Sequence, residues 1–276
     1  MSTPPLIDLH VHTTASDGGL SPTALIAAAQ SAGVGLLAIT DHDTLAAYDE
    51  LPALPSGLTL IAGIELSTTW RTIGIHVLGL GIDVRHVDLR ALCARQAAAR
   101  DTRAHAIAAL LGRRGIVDAY AGAAAQADGR PIGRPHFARH LVACGAATTL
   151  AQAYQKYLRQ GRAAHGLDHW APLDEIIDVI RAAGGTAVLA HPAHYRLTGM
   201  RLDDMTRDFT AAGGGALELI SGTQTAAVTK TLARLADRHG LDISIGSDFH
   251  HPEQTWNQLG RTPPSLPGLR PLWHRW

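Results

Sequence analysis

Seven short apolar runs rich in strand-forming residues are the feature that most restricts the fold of this chain. Most of the runs are continuous rather than alternating, which is typical of strands whose two faces are both covered by helices. Helix-like segments lie between several runs, and one of them begins at Ser21-Pro22, a capping residue followed by a favoured first helical residue. The pattern predicts parallel pairing and either an α/β barrel or a doubly wound sheet. The runs are 6–12, 35–42, 58–66, 75–82, 186–191, 216–220 and 242–248.

The connection between the third and fourth runs differs from the others. Only eight residues separate Leu66 from Ile75, whereas a parallel crossover needs about a dozen or more. These two runs are therefore expected to pair antiparallel, as a hairpin. Such a hairpin would place Glu65, at the end of one run, opposite His76, at the start of the next, on one rim of the sheet.

Residues 83–170 contain no strand-like run and read as helical, with a long Ala/Arg-rich helix over about 88–114. We interpret them as a helical insertion, or cap domain, between the fourth and fifth strands, with residues 1–82 and 171–276 forming the main domain. The insertion holds 13 of the 24 Lys and Arg residues but 6 of the 24 Asp and Glu residues. A basic segment in an acidic body suggests two parts with different roles.

Composition excludes several classes of protein. The formal net charge is zero, which argues against a generally basic nucleic-acid coat and against stable DNA binding. No apolar run approaches the roughly 20 residues of a membrane span. The first apolar run starts too early for a signal peptide, and Cys93 and Cys144 form neither a disulfide framework nor a metal knuckle. A cytoplasmic protein without membrane contact is expected; its oligomeric state stays open.

Nearly every predicted strand delivers a histidine or a carboxylate to one edge, the edge where α/β barrels form their active sites. So many ionisable groups on one rim would be electrostatically costly without a metal or ligand. Imidazole and carboxylate without thiolate suit Zn, Mn or Fe, and nine candidates are enough for two or three divalent ions that clamp a phosphate. The candidates are His10, His12, Asp17, His42, Glu65, His76, His191, Asp248 and His250.

Five motifs in chain order carry a resemblance to a known family. They are His10-Val-His12-Thr13 with Ser16-Asp17-Gly18, Thr40-Asp41-His42-Asp43, Gly63-Ile64-Glu65, Ala190-His191-Pro192 and Gly246-Ser247-Asp248-Phe249-His250. This set resembles the polymerase-and-histidinol-phosphatase (PHP) family. The whole chain is similar to the branch of stand-alone phosphoesterases that act on 3′,5′-nucleotide bisphosphates and on the 5′ ends of short RNAs. The resemblance implies a distorted seven-stranded, TIM-like (β/α)7 barrel, a helical insertion and a trinuclear metal centre.

The resemblance also implies how the ligands are shared. One ion would take His10, His12, Glu65 and Asp248; a second would share Glu65 and take His76 and His191; a third would take Asp17, His42 and His250. A metal-bound hydroxide held by Glu65, His76, His191 and Asp248 would attack phosphorus. Two segments depart from the pattern of the branch, Ala-Ala-His165-Gly-Leu and Ser221-Gly222-Thr223-Gln224, and both concern substrate detail rather than the metals.

Arg134 and His136 are the candidate substrate-binding residues outside the rim. They straddle Pro135 in a segment predicted to be irregular, where a fixed turn could aim both at a cleft, and arginine suits bidentate phosphate contact. Other basic residues of the insertion are expected to be solvated, including Arg90, Arg95, Arg100 and Arg103 on the long helix.

These features predict a metal-dependent phosphoesterase acting on nucleotide phosphate esters, foremost 3′,5′-nucleoside bisphosphates such as 3′-phosphoadenosine 5′-phosphate, or trimming short RNA from its 5′ end. One alternative is a histidinol-phosphatase-like phosphomonoesterase. Another, from a different class, is a non-catalytic PHP module like those attached to polymerases; the complete set of candidate ligands argues against it.

Overall fold

The seven predicted runs form one sheet in the computed structural model, which describes residues 6–49, 51–158, 169–264 and 268–276. The strands lie in chain order from β1 to β7 and curl into a nearly closed barrel with helices around it, so the α/β barrel prediction is confirmed. The strands are β1 (Leu6–Val11), β2 (Val34–Ile39), β3 (Thr59–Trp70), β4 (Ile73–Leu80), β5 (Thr186–Leu189), β6 (Ala216–Ser221) and β7 (Asp242–Gly246).

Eight α-helices occur in the described residues. The first begins as its sequence predicts, because the Ser21 hydroxyl accepts a hydrogen bond from the amide of Ala24 (3.2 Å). The sequence pattern predicts no separate helix at α3 or α7. The helices are α1 (Pro22–Ser31), α2 (Val87–Gly112), α3 (Ala119–Ala127), α4 (Arg134–Ala143), α5 (Leu150–Ala153), α6 (Leu173–Ala182), α7 (Gly199–Ala211) and α8 (Ala226–Arg238). No helix in these ranges is long and apolar enough to cross a membrane.

The hairpin of β3 and β4 is antiparallel as predicted, but it is longer and its register differs. The strands continue past the predicted ends, so two residues rather than eight connect them. Glu65 pairs with Leu78, and His76 pairs with Ser67. Glu65 and His76 are therefore diagonal neighbours rather than directly opposite residues. They still meet, because residues two apart along a strand share one face.

The reversed direction of β4 determines where the insertion starts. β4 is antiparallel to both of its neighbours, so it ends at the face of the barrel opposite the rim of ionisable residues. Helix α2 must bring the chain back, and its 26 residues span about 39 Å at 1.5 Å per residue. The insertion thereby reaches the rim.

Helix α2 contributes to two hydrophobic cores. Leu89 and Leu92 pack in the core around the barrel, whereas Ile107 and Leu111 pack in a second core. The second core also contains buried residues of α3 and α4, such as Ala123, Phe137 and Leu141. The predicted domain boundaries at residues 82 and 171 stay a prediction, since one helix is shared by both cores.

The barrel closes where β7 meets β1, beside three of the candidate ligands. The amide of Asp248 donates to the carbonyl of His10 (2.8 Å), and the amide of His12 donates to the carbonyl of Phe249 (2.9 Å). The buried carboxylate of Asp8 accepts from the amides of Ser247 and Gly260, both at 2.8 Å. These bonds fix the first and last strands relative to each other at the rim.

Candidate metal centre

All nine candidate ligands lie together at the rim, although they are spread from residue 10 to residue 250. His10 lies in β1 and His12 directly after it, whereas His42 and His191 follow β2 and β5. Glu65 and His76 come from the hairpin, Asp17 lies in the loop after β1, and Asp248 and His250 follow β7. Convergence at the carboxyl ends of the parallel strands is the position that the fold favours for an active site.

Glu65 is the centre of this arrangement and is fully buried. Its Oε1 lies 2.8 Å from Nδ1 of His76 and 2.9 Å from Nε2 of His191. Its Oε2 lies 2.9 Å from His42 Nδ1, 3.3 Å from His12 Nε2 and 3.4 Å from His10 Nε2. One carboxylate thus faces five imidazoles, as a ligand shared between ions would.

The possible ligand atoms fall into four overlapping groups, in each of which they lie within 4.8 Å of one another. One group contains every residue that the family resemblance assigns to the third ion, plus His12. The other three groups contain residues assigned to the first and second ions, and one of them also includes His42 from the third. The groups are His12, Asp17, His42 and His250; His10, His12 and Asp248; His10, Glu65 and His191; and His42, Glu65 and His76.

Unpartnered nitrogen atoms indicate that these residues fit metal ions. Nε2 of His10 and both ring nitrogens of His12 are buried and have no hydrogen-bond partner within the described part of the chain. Leaving such groups unpaired costs about 1–3 kcal/mol each. Imidazole and carboxylate donors suit a divalent transition metal, so the donor chemistry and the unpaired atoms agree. The role of each residue as a ligand stays a prediction.

The cluster contains histidines whose pKa is lowered and histidines whose pKa is raised. Burial, helped by the neighbouring His250, lowers the pKa of His12 to about 3, and burial lowers that of His76 to about 4. Burial alone would also lower the pKa values of His10 and His250, but nearby carboxylates raise the pKa of His10 and bring that of His250 to about 10. Burial opposes ionisation of Glu65, yet surrounding imidazoles hold its pKa well below the ordinary range.

Glu218, in β6, supports the centre and was not among the predicted site residues. Its Oε1 lies 2.9 Å from Nδ1 of His10, and its Oε2 accepts a hydrogen bond from the backbone amide of His191 (2.6 Å). A carboxylate on the far nitrogen of a ligating histidine fixes the tautomer and the ring orientation. A glutamate within an apolar strand-like run was the sequence signal for this role, and the structure buries it fully.

A second buried carboxylate holds the loop that carries Asp17. Asp41 accepts from the amide of Thr13 at 2.8 Å and from the hydroxyls of Thr13 and Ser16, both at 2.6 Å. Gly18 is required in this loop because a Cβ there would lie 2.4 Å from the carbonyl oxygen of His12.

Three of the seven non-glycine residues with positive φ in the described ranges lie at the centre. His191 and Asp248 have φ values of +30° and +53°, and Asp43, next to His42, has +54°. Such conformations of non-glycine residues cost on the order of 1–3 kcal/mol each and are found mostly at functional sites. The strain supports a functional rather than a structural role for this rim.

A cavity of about 330 Å³ lies over the rim, and arginines of the insertion line its other wall. Arg100, Arg103 and Arg134 are among the lining residues. The expectation that the arginines of α2 are solvated is therefore wrong for Arg100 and Arg103, although Arg90 and Arg95 are exposed. Anionic and cationic surfaces thus face each other across one cavity.

Contacts with Asp43 and Trp170 hold the arginines that line the cavity. Nε of Arg100 donates to the buried carboxylate of Asp43 (2.6 Å), and the guanidinium groups of Arg100 and Arg103 lie 5.6 and 5.8 Å from the ring centre of Trp170. Burial and the nearby charge of Arg134 lower the pKa of Arg103 to about 9. A partly desolvated group of like charges is suited to bind an anion.

The structure separates the two predicted substrate-binding residues. The segment around Pro135 is not irregular but forms the first turn of α4, and Arg134 lines the cavity there. His136 is fully buried, and its Nδ1 accepts a hydrogen bond from the backbone amide of Gly133 (2.9 Å). His136 therefore holds the start of α4, and a direct contact with substrate stays a prediction.

One of the two segments that depart from the family pattern is held by hydrogen bonds after β6, and the other lies outside the described residues. Gln224 donates to the carbonyl of Leu219 (2.7 Å) and to the hydroxyl of Thr229 (2.8 Å), so it holds the connection from β6 to α8. His165 falls outside the described residues, as do two of the other basic residues of the insertion, Arg159 and Arg162.

Comparison with known proteins gives consistent results. Residues 8–126 match the PHP domain. The chain is 43% identical over 97% of its length to a 5'-3' exoribonuclease of Haemophilus influenzae, 98% of which is covered. It is 38% identical over 97% of its length to a 3',5'-nucleoside bisphosphate phosphatase of Chromobacterium violaceum, 95% of which is covered.

A solved structure supports the same relationship. It is an amidohydrolase from Chromobacterium violaceum, with bound sulfate and no metal, which superposes with a TM-score of 0.89 at 37% identity and with coverage of 98% of this chain and 95% of that one. With the motifs, the barrel and relatives aligned over nearly the whole chain, the protein belongs to the PHP family and is a hydrolase of phosphate esters.

Proposed function

We propose that the protein hydrolyses 3′,5′-nucleoside bisphosphates, such as 3′-phosphoadenosine 5′-phosphate, and trims short RNA from the 5′ end. The observation that carries this proposal is the cavity with two unlike walls, one of metal-ligand type and one of arginines. A substrate with two phosphates can place one on each wall. The names of the exoribonuclease and bisphosphate phosphatase relatives support the same substrate class.

The proposed centre holds three divalent ions of Mn, Fe or Zn. In this proposal Glu65 would be shared by the first two ions, and Asp17, with His42 and His250, would hold the third. When bound, such ions supply Lewis-acid activation of water and neutralise phosphate oxygens. The chain itself keeps the donor atoms in place: Glu218 orients His10, and Asp41 holds the loop of Asp17.

The cap formed by residues 83–170 supplies the second half of the site. Arg134 contributes a charged contact to the phosphate that is not cleaved, and Arg100 and Arg103 neutralise its remaining charge. Because this contact is remote from the reacting bond, it acts mainly through binding of the substrate. It distinguishes bisphosphates from substrates with one phosphate.

The first test measures phosphate release from 3′-phosphoadenosine 5′-phosphate and from histidinol phosphate, with Mn²⁺ or Fe²⁺ present. We expect a higher kcat/KM on the bisphosphate. Glu65→Gln should abolish activity and reduce metal content while circular dichroism shows a retained fold, and Glu253→Gln, at a surface carboxylate, is the matched control. A preference for histidinol phosphate would favour the alternative phosphatase. Activity on neither substrate, with metals bound, would favour the non-catalytic module.

The second test concerns the arginine wall. Arg134→Ala should cost about 2–4 kcal/mol in kcat/KM on the bisphosphate, roughly 30- to 1000-fold, because a charged hydrogen-bonded pair is lost. A mononucleotide with one phosphate should be affected much less, and metal content should not change. Equal losses on both substrates would contradict a contact with the second phosphate.

A further inference from the structure

A second cavity opens directly from the one over the metal centre. It has a volume of about 860 Å³, more than twice that of the first. The two cavities share the side chains of Arg134, Tyr154, His194 and Tyr195. A ligand that fills the first can therefore continue into the second without leaving the protein surface.

The wall of the second cavity has the chemistry of a single-stranded nucleic-acid site. Tyr154 and Tyr195 supply aromatic rings, Leu158 an apolar surface and Arg196 a positive charge. Such sites combine aromatic rings, on which bases stack, with cations that follow the backbone. The Tyr195 hydroxyl accepts a hydrogen bond from the backbone amide of His76 (2.9 Å). This bond fixes the wall relative to the candidate metal centre.

The two cavities differ in which arginines they contain. Arg100 and Arg103 line only the first, and Arg196 lines only the second. A nucleoside bisphosphate ends at the phosphate that is cleaved, so it has nothing to place beyond the first cavity. An RNA chain continues past that phosphate, and only this substrate has a use for the second cavity.

We infer that the second cavity binds the ribonucleotide that follows the scissile phosphate of an RNA substrate. The inference rests on the proposed function, whose substrate it extends from one nucleotide to a chain. In the reaction, water adds to the scissile phosphorus and the P–O3′ bond breaks, as in a 3′,5′-bisphosphate. The first nucleotide leaves with a 3′-hydroxyl that takes a proton from the water. The shortened RNA keeps the phosphate as its new 5′ end and is a substrate again.

The test compares two substrates, 3′-phosphoadenosine 5′-phosphate and a 5′-phosphorylated tetra-adenylate. Arg196→Gln removes the charge that lines only the second cavity, and Ala151→Trp fills that cavity from α5. Each variant should lower kcat/KM on the tetranucleotide by about 10- to 100-fold, as expected for loss of a charged or stacking contact. Activity on the bisphosphate should stay within about twofold of the wild type.

Arg201→Gln is the matched control, because Arg201 lies against the ring of Trp70 and is not among the residues of either cavity; it should leave both activities unchanged. Equal losses on both substrates, or unchanged tetranucleotide cleavage in both variants, would overturn the inference. So would a wild type that hydrolyses the bisphosphate but not the tetranucleotide. A wild type inactive on the bisphosphate would instead contradict the proposed function.

Discussion

Glu218 best illustrates how this centre is built, although it is not among the residues that line the cavity over the rim. Glu218 contacts His10 through one oxygen and the backbone of His191 through the other, so it orients two candidate ligands at once. Its position two residues into β6 was visible in the sequence. Its role was not, because a strand pattern does not reveal which imidazole from another strand of the barrel the carboxylate will face.

Replacement of Glu218 tests this orienting role. Glu218→Gln should weaken metal binding about 10- to 100-fold, the usual effect of losing a carboxylate behind a ligating histidine. At saturating metal, kcat should largely recover, because no donor atom has been removed. Titration of the metal-free variant with Mn²⁺, followed by activity at each concentration, makes the comparison. Weakened binding that no metal concentration rescues would contradict an orienting role.

Protonation of the free centre gives a second prediction. Burial alone would lower the pKa values of His10, His191 and His250, but nearby carboxylates raise all three when no metal is bound, and a metal accepts only neutral imidazole. Metal binding should therefore release protons, and affinity should fall as the pH is lowered. Calorimetry in two buffers with different ionisation enthalpies measures the release. An enthalpy that is independent of buffer would contradict it.

At the scale of elements, a buried polar contact joins the insertion to the barrel. Gln96, in α2, donates to Asp43 and to the carbonyl of Ser67, and it accepts the amide of Ala171 (3.0 Å). The contact lies on the apolar side of α2, between Leu92 and Ala99, which are both buried. Polar residues on that side of a helix were the available signal that Arg100 and Arg103 are not solvated.

Gln96→Met should destabilise the protein by about 2–4 kcal/mol, since it leaves buried polar groups unpaired. Arg95→Met, at the preceding residue, should lower the stability by no more than about 1 kcal/mol, because the Arg95–Glu175 pair is on the surface. Urea unfolding of the two variants gives the comparison. Similar stability of both would mean that the contact is not important for docking α2.

The order of the elements was more predictable than their lengths. Seven apolar runs, most of them continuous, identified the strands, and an eight-residue separation identified the antiparallel pair. The extra residues of the hairpin were missed because Ser67, Thr68 and Thr69 are polar, although they continue β3 to Trp70. Helix α3 was missed because its Ala/Gly-rich sequence has no apolar periodicity; its packing against α4 and α2 makes it a helix.

For the whole molecule, metal binding and stability are linked. The centre buries many polar atoms that a bound ion would satisfy, and a ligand that binds only the folded state adds about 2.7 kcal/mol at a hundredfold excess over Kd. Removal of metal with a chelator should therefore lower the Tm by about 5–10 °C, at roughly 2–4 °C per kcal/mol for a chain of this size. Readdition of Mn²⁺ should restore it.

Glu65→Gln provides the control for that experiment, because it removes the carboxylate that faces five imidazoles. Its Tm should respond much less to the chelator and to Mn²⁺. A wild-type Tm that is unchanged by chelation, in protein shown to contain metal, would mean that the ions contribute nothing to folding.

The reversal of β4 makes α2 a spacer of fixed length. β4 brings the chain to the far end of the barrel, and Arg100 anchors α2 to Asp43 near the rim. The number of helical turns after Arg100 therefore sets the distance between the second core and the candidate metal centre. One added turn would move that core by about 5.4 Å without rotating it far. The clearance between cap and metal centre, and hence the size of substrate admitted, can therefore be changed in steps of one turn while the barrel stays intact.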